Sequence, residues 1–227
     1  MLGDLFNNPL NFLIWAVSLV VAITIHEFAH AWSADRLGDP TPSLQRRLTL
    51  NPLAHLDPIG TLMLLFVGFG WGKPVVFDPY NLRHPQRDSA IISLAGPASN
   101  LIVAGLCSVA LHLLFSFRLP IWETDAMGMV GYLIIGFLKT LITLNIVLAI
   151  FNLVPVHPLD GFKIVGGLLP ADKAHEWYQL ERYGMIFLLF LLFPIFGGVA
   201  PINQIISPII NFVLSLLLPS SGGTGII

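Results

Sequence analysis

Of 227 residues, 55% are hydrophobic and only 11% charged, against roughly a quarter charged in a soluble domain, so the chain is read as one helical domain, residues 1–227, solvated by lipid. A net charge of −2 leaves no basic footprint for nucleic acid. The single cysteine, Cys107, excludes an intrachain disulfide and a cysteine cluster, and its apolar surroundings suit simple packing.

The first apolar run, Phe12 to Trp32, has about the length needed to cross a hydrocarbon core. No Lys or Arg precedes Arg36, so the basic region of a signal peptide is missing and the segment is expected to be retained. Four further runs follow: Ile91 to Phe117, Met129 to Val156, Met185 to Val199, and Ile202 to Leu218, the last two parted by a turn at Ala200-Pro201. The expected fold is therefore an all-α polytopic membrane protein with five to six transmembrane helices.

Between the first two runs lies a Pro- and Asn-rich stretch with a short apolar piece, Pro58 to Phe69. At about a dozen residues it is short for a span and reads as re-entrant or internally packed. Trp71 to Phe77 places β-branched and aromatic residues between Gly and Asp-Pro, the pattern of a short extended segment, and Pro74 restricts it to an edge. The fold thus includes a short membrane-associated β or re-entrant segment.

Lys and Arg set the orientation. Arg36, Arg46, Arg47, Lys73, Arg83 and Arg87 lie between runs one and two, and Lys163, Lys173 and Arg182 between runs three and four. The loop between runs two and three holds Arg118 beside Glu123 and Asp125. By the positive-inside rule the N-terminus is outside and the basic loops are cytoplasmic. Lys139 sits inside the third run, where it either snorkels to the interface or faces the protein interior.

His26-Glu27-Phe28-Ala29-His30 puts two imidazoles at i and i+4, on one helix face and close enough to share a zinc ion. Glu27 between them is placed to accept a proton from a water that zinc makes acidic near neutral pH. Such a pattern also arises by coincidence on surface helices. Here it lies in a membrane run, where one ionisable residue costs about 2.5 to 3.5 kcal/mol, so three polar groups in one turn point to a use.

Catalytic zinc takes three protein ligands, so one more is needed. His55, Asp57, His84, His157 and Asp160 are the candidates; Asp160, at the end of the third run, is preferred, though Asp160-Gly161 also reads as an ordinary turn. Asn152 is a candidate oxyanion donor or an interhelical hydrogen-bonding amide, and Asn100 reads as the latter. Gly96, Pro97 and Gly161 read as sites of close helix approach and turns.

In these blocks the chain resembles the site-2 protease family of intramembrane zinc metalloproteases, in its compact prokaryotic form without a PDZ domain. The resemblance runs from about Thr24 to Gly198. It rests on His26 to Ala31, Gly38-Asp39, Arg47 to Leu53, His55 to Thr61, Gly72 to Val75, Asp78 to Arg83, Ala95-Gly96-Pro97 with Asn100, and Asn152 to Gly161. It implies that His26, His30 and Asp160 bind one zinc ion and Glu27 activates water. The implied substrates are single-pass transmembrane proteins in a prokaryotic cell membrane, cut towards its cytoplasmic side. His157 departs from the family, which commonly has proline there, and is expected to be a solvated interfacial histidine, an extra ligand or a proton donor. A non-proteolytic scaffold or chaperone is the alternative, against which Glu27 speaks. A metal channel would need ligands across the membrane, whereas Phe12 to Ile25 is almost wholly apolar.

Overall fold

The computed structural model describes residues 7–67, 70–116, 125–194 and 198–219. The expectations for Phe69, for Phe117, and for Arg118 and Glu123 in the acidic loop fall outside these residues.

Helix α1, Pro9–Arg36, starts with proline in its first turn, and the Asn8 side chain accepts from the Asn11 N–H. Its end is set by Gly38, whose φ of +105° suits glycine. The Gly38 N–H donates to Asp35 and the Asp39 N–H to Ala34, so two terminal carbonyls are satisfied in a Schellman turn. The turn delivers Asp39 as a buried junction. Its carboxylate accepts from Thr41 N–H and hydroxyl, from the Asp78 N–H at 2.8 Å and from the Asn81 amide at 2.8 Å. Burial pushes the Asp39 carboxyl up, but these donors outweigh it and hold it below the usual carboxylate range.

After a short helix α2, Thr41–Leu44, and a 3-10 turn at Pro52–Ala54, helix α3 covers Pro58–Val67. Asp57 caps α3 through the Gly60 N–H at 2.7 Å. The apolar piece read as re-entrant or internally packed contains this ten-residue helix. Among the described residues there is no strand, only an isolated antiparallel bridge between Leu56 and Gly72. Residues 73–78, here called the strap, are held by side chains and loop carbonyls instead. The Lys73 N–H donates to His55, the Val75 N–H to Glu27 and the Asp78 N–H to Asp39. The backbone N–H groups of Val76 and Phe77 have no partner among the described residues.

Helix α4, Pro85–Ser116, and helix α5, Asp125–Asn152, pack against each other and against α1. At the start of α4 the Asp88 carboxylate reaches back to the His84 N–H at 2.8 Å, a favourable place for negative charge. Among the described residues, three helical stretches are long and apolar enough to cross a membrane: α1, α4 and Gly128–Asn152. Lys139 is exposed on α5, away from the bundle.

Beyond α5 the chain turns through 153–159 into helix α6, Asp160–Leu168, which lies on α4. Gln86 fastens it by donating to the carbonyls of Gly166 and Leu169. Helix α7, Ala171–Tyr178, follows, and its Trp177 indole donates to the Phe162 carbonyl at 2.8 Å. The fourth expected run is a twelve-residue helix α8, Glu181–Leu192, and the fifth is α9, Pro201–Leu217. At 1.5 Å per residue these reach about 18 and 25 Å, against a hydrocarbon core of about 30 Å. Ala104 and Leu111 of α4, Ile135, Ile142, Ile146 and Ile150 of α5, and Ile202 and Ile206 of α9 form the main apolar core.

Replacing Asp39 with Asn removes the charge that gathers these donors, so it should lower stability in detergent by about 2 kcal/mol, the range for hydrogen bonds to a charged group. Because the Asp39 carboxyl titrates below its ordinary value when folded, its contribution is complete above about pH 4 and fades as pH falls further. Thermal unfolding of wild type and Asp39→Asn should therefore converge at low pH. A constant difference down to pH 2 would contradict the junction's role.

Candidate metal centre

His26 and His30 lie on one face of α1, and α4 passes directly over that face at Gly96. A Cβ on Gly96 would overlap the His30 imidazole and come within 2.7 Å of the His26 ring, so only glycine permits the crossing. The approach brings each ring's Nδ1 to an α4 acceptor. His30 Nδ1 lies 2.7 Å from the Ile92 carbonyl, and His26 Nδ1 lies 2.5 Å from Asn100 Oδ1.

These partners fix the tautomers. A carbonyl oxygen only accepts, so His30 Nδ1 carries the proton. Asn100 donates through Nδ2 to Asn145 Oδ1 at 2.7 Å and to the Ala22 carbonyl at 3.3 Å. Its Oδ1 is therefore the acceptor, and His26 Nδ1 is the donor. Asn145, fully buried on α5, completes the chain by donating to Leu141.

With both protons on Nδ1, both Nε2 atoms are bare lone pairs, and they face each other at 3.0 Å. Asp160, at the first turn of α6, brings Oδ2 to 3.2 Å from His26 Nε2 and 3.3 Å from His30 Nε2. This Oδ2 is buried and lacks a hydrogen-bond donor. Three buried acceptors converge with no proton among them, an arrangement that costs energy unless a cation occupies it. The edges of the triangle match the spacing of about 3.3 Å between ligands of a tetrahedral zinc with bonds near 2.0 to 2.1 Å. Among the described residues, His26, His30 and Asp160 form the group suited to a metal.

Glu27 sits beside this group with its side chain 13% exposed. Its Oε2 accepts from the Val75 N–H at 3.0 Å and lies 3.7 Å from the Arg47 guanidinium. Oε1 has no hydrogen bond among the described residues.

The other ligand candidates have separate work. His55 is buried and donates from Nε2 to the Thr49 carbonyl at 2.7 Å, Asp57 caps α3, and His84 offers its backbone N–H to Asp88. His157 lies 3.6 Å from Glu181 and edge-on to Phe162. Asn152 is half-buried at the end of α5, and its amide donates to the Leu148 carbonyl at 3.0 Å. Asn145 and the contacts of Asn100 and Arg47 escape the sequence reading, which sees only amides in apolar runs and a charge in a loop.

A family model described as Peptidase family M50 matches residues 14–194. The chain belongs to peptidase family M50. Site-2 proteases are members of it, so the resemblance drawn from the motifs holds. Similar proteins include "Putative zinc metalloprotease YwhC" of Bacillus subtilis, 39% identical over 77% of this chain and 78% of that protein. "Putative zinc metalloprotease Rip2" of Mycobacterium tuberculosis is 30% identical over 79% of this chain and 66% of its own length. The protein of that name from Mycolicibacterium smegmatis is 27% identical over 80% and 67%. No solved structure matches the chain. Membership of M50 makes this a membrane metalloprotease fold for which zinc is the implied metal, and the three convergent acceptors fit that ion.

Asp160→Ala should strip the purified protein of zinc under mild chelation, while His55→Ala, His84→Ala and His157→Ala retain it. Asn100→Ala, which unfastens His26, should weaken zinc affinity by about 10- to 100-fold, the usual cost of losing a ligand's hydrogen-bond partner. Metal analysis against a graded chelator reads all five variants. Zinc retained by Asp160→Ala but lost from a histidine variant would give the third ligand to that histidine.

Proposed function

We propose that this chain is an intramembrane zinc endopeptidase that cuts peptide bonds within or beside the membrane-spanning helices of anchored, single-pass proteins, as in regulated intramembrane proteolysis. The observation that carries the reading is Glu27, with one free carboxylate oxygen, one residue from a cluster of three bare acceptors on a helix able to cross a membrane. In this reading the whole chain is one domain, His26, His30 and Asp160 hold one zinc ion, and Glu27 is the base.

Zinc, when bound, supplies the positive charge that makes water acidic near neutral pH and polarises a carbonyl. The rest falls to the protein. Glu27 takes a proton from water as the oxygen attacks the scissile carbonyl carbon, then returns it to the departing amine nitrogen as the C–N bond breaks. Asn100 and the Ile92 carbonyl keep both imidazoles in the tautomer that leaves Nε2 free. Asn152 is assigned as a donor to the developing oxyanion, through the second N–H of an amide whose first is given to the Leu148 carbonyl.

A helical substrate hides its peptide bonds, so it must be locally extended before it is cut. The strap offers Val76 and Phe77 with free backbone N–H groups beside the base, and we assign Val75 to Phe77 as the edge with which the extended substrate pairs. An N-terminus outside and an active site towards the cytoplasm of a prokaryotic cell complete the reading, supported by the Lys and Arg distribution.

Glu27→Gln should abolish cleavage of a helical substrate in detergent while keeping zinc at the wild-type level, since an amide cannot accept the proton. Turnover by this variant, with contaminating protease excluded, would sink the assignment.

In a Cys107→Ser background, a cysteine at Val76 should crosslink to one near the scissile bond of a bound substrate. Single cysteines near Arg46 should label only from the cytoplasm. Efficient crosslinking from the 118–127 loop instead of Val76 would move the substrate elsewhere, and labelling near Arg46 from outside would reverse the topology.

A further inference from the structure

Arg47 is the most deeply buried cation outside the helices, only 3% exposed. Burying a guanidinium is costly unless its hydrogen bonds are met; here the partners of its two terminal nitrogens come from three different segments, while Nε has none among the described residues. One terminal nitrogen donates to the Ala54 carbonyl in the loop before α3. The other donates to the Lys73 carbonyl in the strap and lies 3.7 Å from Glu27 Oε2 on α1. A planar fork with several donors can hold these groups together, whereas an ammonium cannot match that geometry.

The strap's own contact falls on the same carboxylate oxygen. The Val75 N–H donates to Glu27 Oε2, two residues beyond the carbonyl that Arg47 holds. The Val75 hydrogen bond and the Arg47 charge therefore both fall on Oε2 and leave Oε1 for water. The base is oriented by the strap, and the strap is fixed by Arg47.

We propose that Arg47 is a positioning residue of the proteolytic site, tying the strap to Glu27 so that docking of the strap and orientation of the base form a single arrangement. This rests on the proteolytic reading above. The arrangement links substrate to chemistry: whatever pairs with Val76 bears on a segment whose neighbouring Val75 N–H holds the base. Loss of Arg47 should thus act on the catalytic step more than on substrate affinity, and it should loosen the strap whether or not substrate is present.

The test compares wild type, Arg47→Gln and Arg47→Lys as zinc-loaded protein in detergent. Arg47→Gln is expected to keep its zinc, to lose about 10²-fold in kcat, the scale of a 1 Å misplacement, and to change KM by less than about threefold. Arg47→Lys should recover part of kcat. Hydrogen exchange at peptide 71–78 should accelerate in Arg47→Gln, with exchange in α4 and α5 unchanged. Four results would overturn the proposal: wild-type kcat in either variant, a raised KM at constant kcat, loss of zinc, or unchanged exchange at 71–78. If Arg47→Gln fails to fold, Arg47→Lys decides by the same criteria. If wild type cleaves no helical substrate, the proteolytic reading fails by itself. The exchange measurement then decides the tie: acceleration upholds it, and wild-type exchange refutes it.

Discussion

Three lone pairs that point at one another inside a helical bundle are the constraint on which the rest depends. The Nε2 atoms of His26 and His30 and the Oδ2 of Asp160 repel unless a cation lies among them. Each is held in that conflict by a partner on another helix. The Ile92 carbonyl and Asn100 supply the acceptors that commit the imidazole protons to Nδ1, Asn145 commits Asn100, and Gln86 fastens α6 so that Asp160 stays at its post. The packing of α1, α4, α5 and α6 is in this sense the ligand shell continued outward.

The second layer of order lies at the end of α1. Gly38 ends the helix, Asp39 collects donors from the following turn and from the strap, and Arg47 reaches back to the strap and the base. None of these contacts is a strand ladder. Residues 73–78 have the composition of an edge strand but make their hydrogen bonds with two carboxylates, a guanidinium and a loop carbonyl.

The convergence of His26 and His30 is legible in the sequence, because an i, i+4 pair of histidines inside an apolar run has few uses in a membrane. Asp160 was legible as one of several candidates, and family resemblance separated it from His55 and Asp57, whose capping and loop-pinning contacts appear only in three dimensions. Asn100 was read as an interhelical amide, which it is, but periodicity cannot say that the group across from it is a ligand. Arg47 counted only as positive charge setting topology. Its other role depends on a fold that brings positions 27, 47, 54 and 73 together, and no local pattern encodes that. The run from Met185 to Val199 looked long enough to span, yet α8 stops at Leu192 because Phe193 turns extended and Pro194 follows.

Gly96 also limits how this site can change. Where α4 comes nearest the two imidazoles it presents main chain alone, and any side chain there would displace the rings. A carboxylate or thiol cannot be introduced at this position of the helix without displacing the two imidazoles. Metal sites that stabilise folds are commonly saturated by four protein groups, whereas sites that perform chemistry stay one short. The crossing of α1 by α4 thus excludes a further side chain from that side of the proposed site by steric means, so substitution at this position cannot turn it into a four-ligand structural site.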